Sequence, residues 1–482
     1  MCSKVVLLVI GRDLVRNTWA MPLVPPVGAL ALGSYLASHG VECEIVDVAV
    51  DFGFGATVAG EHAVHERVAR YLREQASRIA WVGISQLSNN PSGVALAREV
   101  RAALPNTPIL CGGYFPSTNY DTLLRLYPFV TAVVRGDGEV AALEISRSIA
   151  EGRPFLGERT PNLAWLDDGE IRTSRMSHVA PADLPAVDYR QLRNPSGYDT
   201  AVMATSRGCP FRCSYCLEHA LRPFAPHSID WVQRQVAHIE SVMPQPRLWL
   251  LDPIVGPGRN RILEICRVMA KSRFRYAIES RVEALPPNLL PALAQSGLEL
   301  VFLGFESASP ATLVRMNKVR SEKQAQRYLD AALQVFAACF EAGVVAVPAI
   351  MLGFPGDKEA DLRATVTFLA AIRKLCRQAM ERPGNTTGFV PSPQPTYIYR
   401  GSQLASCLEQ EYPDVVLGPE TYMGERTVLS PSAGVDRDTV IGYEALVQAV
   451  GEFPPQAVEI FNAYMGMPSQ VYLQTHAGAI NR

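Results

Sequence analysis

The stretch AVMATSRGCPFRCSYCL, residues 201–217, decides how the rest of the chain is read. Its first five residues, 201–205, are apolar and β-branched enough to predict a strand. A loop follows that carries Cys209, Cys213 and Cys216 at the spacing C-x3-C-x2-C. Three thiols this close make poor core packing and invite oxidation. They can instead hold three irons of a cubane cluster and leave the fourth iron open for a small bidentate ligand. Gly208 and Pro210 suit a loop wrapping such a cluster, and Arg207 and Arg212 are placed to offset the charge of iron-bound thiolates. Two other readings stand beside this one: a zinc loop, with His219 three residues after Cys216 as fourth ligand, and chance clustering.

RGCPFRCSYC resembles the cluster loop of the radical S-adenosylmethionine (SAM) superfamily. The resemblance implies a [4Fe–4S] cluster on the three cysteines, with the amino and carboxylate groups of SAM on the open iron.

Composition places the chain among ordinary globular proteins. The chain has 482 residues, enough for two to four domains, with 48% hydrophobic and 19% charged residues. A formal net charge of −2 gives no sign of a nucleic-acid or acidic-membrane partner. No apolar run approaches the roughly 18 residues a membrane span needs. The opening MCSKVVLLVIGRD is interrupted too soon for a signal peptide and predicts a first buried strand. Seven cysteines (Cys2, Cys43, Cys111, Cys266, Cys339, Cys376, Cys407) stand singly in apolar surroundings, as core thiols do in a reducing cytoplasm. There are no internal repeats.

Residues 1–150 alternate strands (4–10, 42–50, 79–85, 108–111, 132–135) with helices (27–39, 92–104), and Gly40 sits where a C-cap glycine belongs. This predicts a Rossmann-like, doubly wound parallel sheet, with a ligand beyond the carboxyl ends of its strands. Those ends carry Gly11; Ser85 with Leu87 and Ser88; Gly112 and Gly113; and Gly136-Asp137-Gly138-Glu139. Paired glycines let a flat ligand approach the backbone, and the lack of G-x-G-x-x-G after the first strand counts against a dinucleotide. The segments PPVGALALGSYLASHG, VGIS, CGGYFPS and VVRGDGE resemble the cobalamin-binding domain fused to many radical SAM enzymes. By that likeness Ser85, Leu87, Ser88, Gly112, Gly113, Tyr114, Gly136, Gly138 and Glu139 border cobalamin. There is no D-x-H-x-x-G, and His39, His62 and His65 read as solvent-facing helix residues. Cobalt is therefore expected to lack a protein histidine ligand. The bland reading is a degenerate Rossmann-like domain that binds nothing.

Residues 151–200 are broken by Pro154, Pro161, Pro181, Pro185 and Pro195 and read as a linker draped over both domains. Within it, Asp167-Asp168-Gly169 predicts a small hairpin, and ADLPAVDY resembles the connector ahead of this family's cluster loop.

Residues 201–400 resume the alternation. Strands are expected over 247–252, 275–280, 300–305, 345–352 and about 388–399, and helices over 229–242, 259–271, 287–296, 321–342 and 358–375. With the cluster strand these make a partial (β/α)6 TIM-type barrel, whose site lies at the carboxyl ends of its strands. The pieces LLDP, IESRVE, FLGFES and IMLGFPGD resemble the superfamily's strand-end motifs. The likeness implies that Glu306 and Ser307 contact the ribose or methionine part of SAM, and that Glu279 and Arg281 hold its polar groups. It places Tyr215 and the backbone of Gly353, Phe354 and Pro355 at the adenine. Pro253 stands where the family often has a second acidic residue, which leaves the role of Asp252 open. As ordinary residues, Glu306 would be a surface carboxylate and Glu279 and Arg281 plain salt-bridge partners. Residues 401–482, a substrate or capping region, predict helices over 404–410, 437–450 and 455–465, with Tyr412, Tyr422, Tyr443, Phe453, Phe461, Tyr464 and Met423, Met465 and Met467 packed between them or over the barrel mouth.

Taken together, the resemblance covers residues 1–400 and implies a cytoplasmic, cobalamin-dependent radical SAM methyltransferase. Its cofactors would be a [4Fe–4S] cluster, SAM and methylcobalamin, and its partners a small-molecule or peptide substrate and an external one-electron reductant such as flavodoxin or ferredoxin. The methylated atom would be an unactivated carbon or a phosphorus in natural-product or cofactor biosynthesis. The runner-up keeps the cofactors but catalyses a cyclisation, rearrangement or other alkyl transfer. A cobalamin- or light-sensing regulator with an inert barrel is the reading from another class, and the intact cysteine trio opposes it.

Overall fold

The computed structural model describes residues 3–10, 19–20, 22–55, 57–86, 92–411, 434–465 and 467–468. KVVLLVI forms β1, Lys4–Ile10, buried along its whole length. An unbroken β-branched and leucine run of this kind suits a parallel strand covered on both faces. Around it stand α1 (Val27–Ser38), β2 (Cys43–Asp47), α2 (Val48–Phe52), α3 (Val58–Arg73), β3 (Ile79–Gln86), α4 (Ser92–Ala103), β4 (Ile109–Gly112), β5 (Ala132–Val134) and α5 (Glu139–Ala150). The strand expected to run to residue 50 stops at Asp47, whose carboxylate turns the chain by accepting the backbone N–H groups of Ala49 and Val50 at the start of α2. Gly40 ends α1 at φ +77°, a conformation that favours glycine.

The parallel order β2-β1-β3-β4-β5 is extended by an antiparallel hairpin, β6 (Leu163–Asp167) and β7 (Glu170–Thr173). The hairpin is thus part of the first sheet rather than of a linker, because β6 pairs with β5 through Val133↔Ala164 and Val134↔Leu163. The chain then becomes a buried strap. Asp188 N–H donates to Ser34 Oγ on α1 at 2.8 Å, and Val187 N–H donates to Gln235 Oε1 at 2.9 Å. Tyr189 is fully buried and its hydroxyl donates to the Val202 carbonyl. Burying an aromatic of this size is worth about 2–3 kcal/mol, so the strap fixes one domain on the other.

The second sheet holds β8 (Ala201–Met203), β9 (Arg247–Leu250), β10 (Arg275–Arg281), β11 (Leu298–Glu306), β12 (Val345–Leu352) and β13 (Ser392–Pro395). All six are parallel and lie side by side in chain order. Helices α6 (Ile229–Val242), α7 (Arg259–Met269), α8 (Leu290–Gln295), α9 (Glu322–Glu341) and α10 (Glu359–Met380) connect them on the outside. Ser228 and Ser321 cap α6 and α9 by accepting from Trp231 N–H and Gln324 N–H. Two expected elements are shorter: 287–296 is a 3₁₀ turn plus α8, and β13 occupies four residues because Pro393 and Pro395 limit its pairing.

Beyond the barrel, α11 (Gln403–Glu411), α12 (Arg437–Ala449) and α13 (Pro455–Met465) follow. Phe461 and Tyr464 are buried, whereas Phe453 is exposed. Tyr412, Tyr422 and Met423 lie outside the described residues. Every described cysteine is free, and Cys111, Cys266, Cys339 and Cys376 are buried as core thiols. No helix among the described residues is long and apolar enough to cross a membrane.

Candidate active site at the facing strand ends

The loop after β8 is pinned at its root. Asp252, at the end of β9, is fully buried and accepts Thr205 N–H at 2.9 Å and Ser206 Oγ–H at 2.5 Å. Burial pushes its carboxyl up to about 6 while these hydrogen bonds oppose the shift. Asp252 therefore anchors the start of the cysteine loop, which settles the role the sequence left open. Asn317 Nδ2–H donates to the Arg212 carbonyl at 2.6 Å, and Ser214 N–H donates to the Met316 carbonyl, so the loop is held from the far side of the barrel as well.

The cation that reaches a thiol is Arg281, not Arg207 or Arg212. Arg281, buried at the end of β10, donates through Nη1 to Cys213 Sγ at 2.9 Å, lies 4.0 Å over the Phe211 ring and pairs with Glu283. Arg207 is taken up by Glu139 at 2.5 Å, and Arg212 is exposed. Burial pushes the Cys216 thiol up to about 12 and raises that of Cys209. Metal binding must therefore displace protons here, as thiolate ligation always does. Among the described residues no group of three or more His, Cys, Asp or Glu side chains converges on one metal ion. Three thiols on one loop, with a guanidinium on one of them, could hold an iron–sulfur cluster.

Around this loop stand the other strand ends. The Glu279 carboxylate has no hydrogen-bond or ion-pair partner among the described residues, and burial together with the nearby Asp252 and Glu218 carboxylates pushes it up to about 8. Glu306 follows a bulge in β11, holds φ +71°, and is buried against Lys318 Nζ at 3.1 Å. Lys318 was missed by sequence reasoning, since nothing local marks it. The Ser307 hydroxyl accepts Ser309 N–H at 3.1 Å and shares a hydrogen bond with Thr365, and its backbone N–H donates to the Phe305 carbonyl at 3.0 Å. The Tyr215 ring lies 6.5 Å from that of Phe354 at 80°, which brings the cysteine loop to the 353–355 turn. Gly353 takes φ +69°, and a Cβ there would meet Val440 of α12 at 2.8 Å.

The first sheet presents its own strand ends to the same loop. The Tyr114 hydroxyl donates to Glu218, and Arg222 lies 5.4 Å over the Tyr114 ring. Asp137 pairs with His178 at 2.9 Å and lies 3.7 Å from both Arg207 and Arg222. A Cβ on Gly112 would meet nothing closer than 3.7 Å, so that glycine is not demanded by packing and leaves an open surface. Gly113 (φ +109°) and Gly136 (φ +69°) need glycine for their backbone. Glu139 is buried under Arg207, Gly138 sits beside Leu32, and Ser85, next to last in β3, is half-buried. Leu87, Ser88 and Gly11 lie outside the described residues. Among the described residues, buried Glu139 Oε2, Glu218 Oε2, Arg222 Nε and Arg281 Nε have no hydrogen-bond partner. Orphaned polar atoms beside open glycine surface fit a large polar cofactor. Of the three histidines read as solvent-facing, His39 and His62 are exposed, but His65 is buried and hydrogen-bonded to Ser92 Oγ at 3.1 Å.

Comparison with known proteins agrees with this geometry. Residues 20–146 match the B12 binding domain, and residues 203–369 match the radical SAM superfamily. An uncharacterized methyltransferase of Pyrococcus horikoshii is 24% identical over 55% of this chain and 58% of its own length. An anaerobic magnesium-protoporphyrin IX monomethyl ester cyclase of Synechocystis is 24% identical over 64% of this chain and 62% of its own. The chain thus spans less than two thirds of these curated relatives. The cobalamin-dependent SAM radical enzyme OxsB, solved with aqua-cobalamin and SAM, superposes with a TM-score of 0.71 at 16% identity, over 92% of this chain and 66% of that one. The radical SAM methyltransferase TsrM of Kitasatospora setae, solved with cobalamin and a [4Fe–4S] cluster, gives 0.67 at 16%, over 86% and 80%. At such identity these likenesses speak for the fold.

Proposed function

The chain belongs to the radical SAM superfamily and carries a B12-binding domain ahead of its barrel; from that premise we propose that it is a cobalamin-dependent methyltransferase acting on an unactivated carbon or phosphorus of a small molecule or peptide. One observation carries the reading: Tyr114–Glu218 and Glu139–Arg207 tie the glycine-rich ends of the first sheet to the cysteine loop of the second. Two cofactor sites thereby share one space, which a reaction needing both in contact with one substrate requires. When bound, the cluster with SAM supplies a carbon-centred radical and cobalamin supplies the methyl group.

The chain's own residues position and insulate. Cys209, Cys213 and Cys216 hold the cluster, and Arg281 offsets its charge from behind Cys213. Glu279, the unpaired carboxylate at the mouth, accepts the amino group of SAM, and Glu306, steadied by Lys318, accepts from the ribose. Tyr215 and the Gly353–Phe354–Pro355 backbone border the adenine. Ser85, Gly112, Gly113, Tyr114, Gly136, Gly138 and Glu139 form the cobalamin face. The Tyr189 strap keeps the two faces in register.

The test is product analysis with methyl-labelled SAM under anaerobic, reducing conditions. A methylase forms S-adenosylhomocysteine and 5′-deoxyadenosine together, about two SAM per product. 5′-Deoxyadenosine without S-adenosylhomocysteine replaces methylation by the second reading, a radical cyclisation or rearrangement, which the cyclase relative favours.

A further inference from the structure

The first domain is tied to both edges of the partial barrel. Arg207 follows β8 and Arg400 follows β13, the two edge strands of the second sheet. At the β8 edge Arg207 meets Glu139, their side chains 15% and 5% exposed, and Asp137 stands 3.7 Å from both Arg207 and Arg222. At the β13 edge Arg400 donates through Nη1 and Nη2 to the two oxygens of Asp121, the second at 2.6 Å, and to Thr122 Oγ1 at 3.1 Å. Asp121 lies on the helix Tyr120–Leu126, which follows the helix Tyr114–Thr118 and through it the Gly112–Gly113 end of β4. Residues 396–404 form the other half of this contact. Thr396 N–H donates to the Leu352 carbonyl at 2.9 Å, Ile398 is buried in one cluster with Phe354, and Leu404 N–H donates to the Ser214 carbonyl at 2.7 Å. At the crossing Gly401 takes φ +86°, and a Cβ there would lie 3.4 Å from Thr118 and 3.8 Å from Leu217.

The two fastenings differ in strength. The side chains of Arg400 and Asp121 are 34% and 33% exposed. A pair this open to water gains little net energy and is screened by salt, whereas breaking a buried pair from one side costs several times more. Parting of the facing strand ends therefore begins at the β13 edge. A cofactor as large as cobalamin, held between those ends, needs them to part before it can leave. We infer that Arg400 is a positioning residue: it clamps residues 396–402 onto the first domain and so sets how fast cobalamin enters and leaves. This rests on the cobalamin face proposed above and adds to it the residue that closes it. Because the clamp is a bidentate ion pair, both its carboxylate and its guanidinium are needed, and ionic strength weakens it.

The experiment loads the anaerobically reconstituted full chain with radiolabelled hydroxocobalamin, adds a large excess of the unlabelled compound, and follows loss of label from the protein by gel filtration. Arg400→Ala and Asp121→Asn are each expected to speed release about five- to ten-fold at low salt. Rising salt should speed release from wild type toward the variants' rate and leave theirs nearly constant. Arg400→Lys, which keeps the charge but not the paired contact, should fall between. Arg400→Glu combined with Asp121→Arg should bring the rate back toward wild type. Iron content, and SAM affinity by calorimetric titration, should stay at wild-type values in all four proteins, which a general loosening of the fold would not allow. A wild-type release rate in Arg400→Ala would overturn the clamp, and so would parallel loss of cobalamin, iron and SAM affinity. A wild-type chain that takes up no hydroxocobalamin would overturn the cobalamin face and the clamp with it. Uptake measured before the excess is added separates that failure from a clamp that does not act.

Discussion

Removing the Glu306 carboxylate tests the SAM site at its most structured point. The side chains of Glu306 and Lys318 are 9% and 1% exposed, so the pair belongs with buried ion pairs rather than surface ones. Two costs follow from Glu306→Ala. The first is on the ligand: a hydrogen bond to a charged group is worth about 1.5–3 kcal/mol, which weakens SAM binding roughly 10- to 150-fold. The second is on the fold, because Lys318 keeps only the Gly304 carbonyl and the Tyr328 ring, 5.9 Å away, against its buried charge. Breaking such a pair from one side costs about 3–5 kcal/mol. For a domain of this size that is a fall in Tm of about 6–20 °C. The double variant Glu306→Gln/Lys318→Met should recover much of the stability and none of the SAM affinity. Calorimetric titration of the reconstituted protein reads the first cost, and thermal melts followed by circular dichroism read the second. Cluster and cobalamin content should survive, since neither rests on this strand end. If Glu306→Ala binds SAM with wild-type affinity, the residue is a bystander and the site as drawn is wrong.

Cys213→Ala should remove about four irons and four sulfides, the absorbance near 400 nm and turnover together; a full cluster in that variant would refute the ligand assignment. Cob(II)alamin bound to the protein should show no nitrogen hyperfine splitting from an axial imidazole. Splitting that disappears in a His39 or His65 variant would place a histidine on cobalt despite the packing of His65 against Ser92. Burial pushes the Asp47 carboxyl up to about 7, opposed by its bonds to Val50 and Ala49 and assisted by Asp51. The folded state thus holds a proton the unfolded chain releases near pH 4, and stability is lost as pH rises through 7. Asp47→Asn keeps an oxygen for capping α2, so its stability advantage over wild type should widen by roughly 2–3 kcal/mol from pH 5 to pH 8 in urea titrations. A constant difference would show that Asp47 is ionised in the fold.

Much of the architecture was legible because it is written locally. The alternation of β-branched runs with 3.6-period helices gave both parallel sheets, and the cysteine spacing marked the loop between them. Polar and glycine residues at strand ends pointed to the site because, in α/β folds, those ends are where ligands bind. What failed was the inference of particular side-chain partners. Arg207 and Arg212, neighbours of the cysteines in sequence, were expected to balance the thiolates. Arg281, 68 positions from Cys213, is the residue that touches one. His65 read as a surface histidine, yet it is sealed between α3 and α4. The 162–173 hairpin read as linker, yet β5 offered it an open edge with which to pair.

The sequence by itself determined the order of elements, the three-cysteine loop and the glycine-lined strand ends, since each depends on residues within a few positions of one another. Only the tertiary structure decided that Asp252 roots the loop, that Lys318 neutralises Glu306, and that Glu139 and Tyr114 of the first sheet meet Arg207 and Glu218 of the second. These partners are set by strand register and by the strap that docks one domain on the other. Burial leaves a charge no partner but the one that packing brings to it.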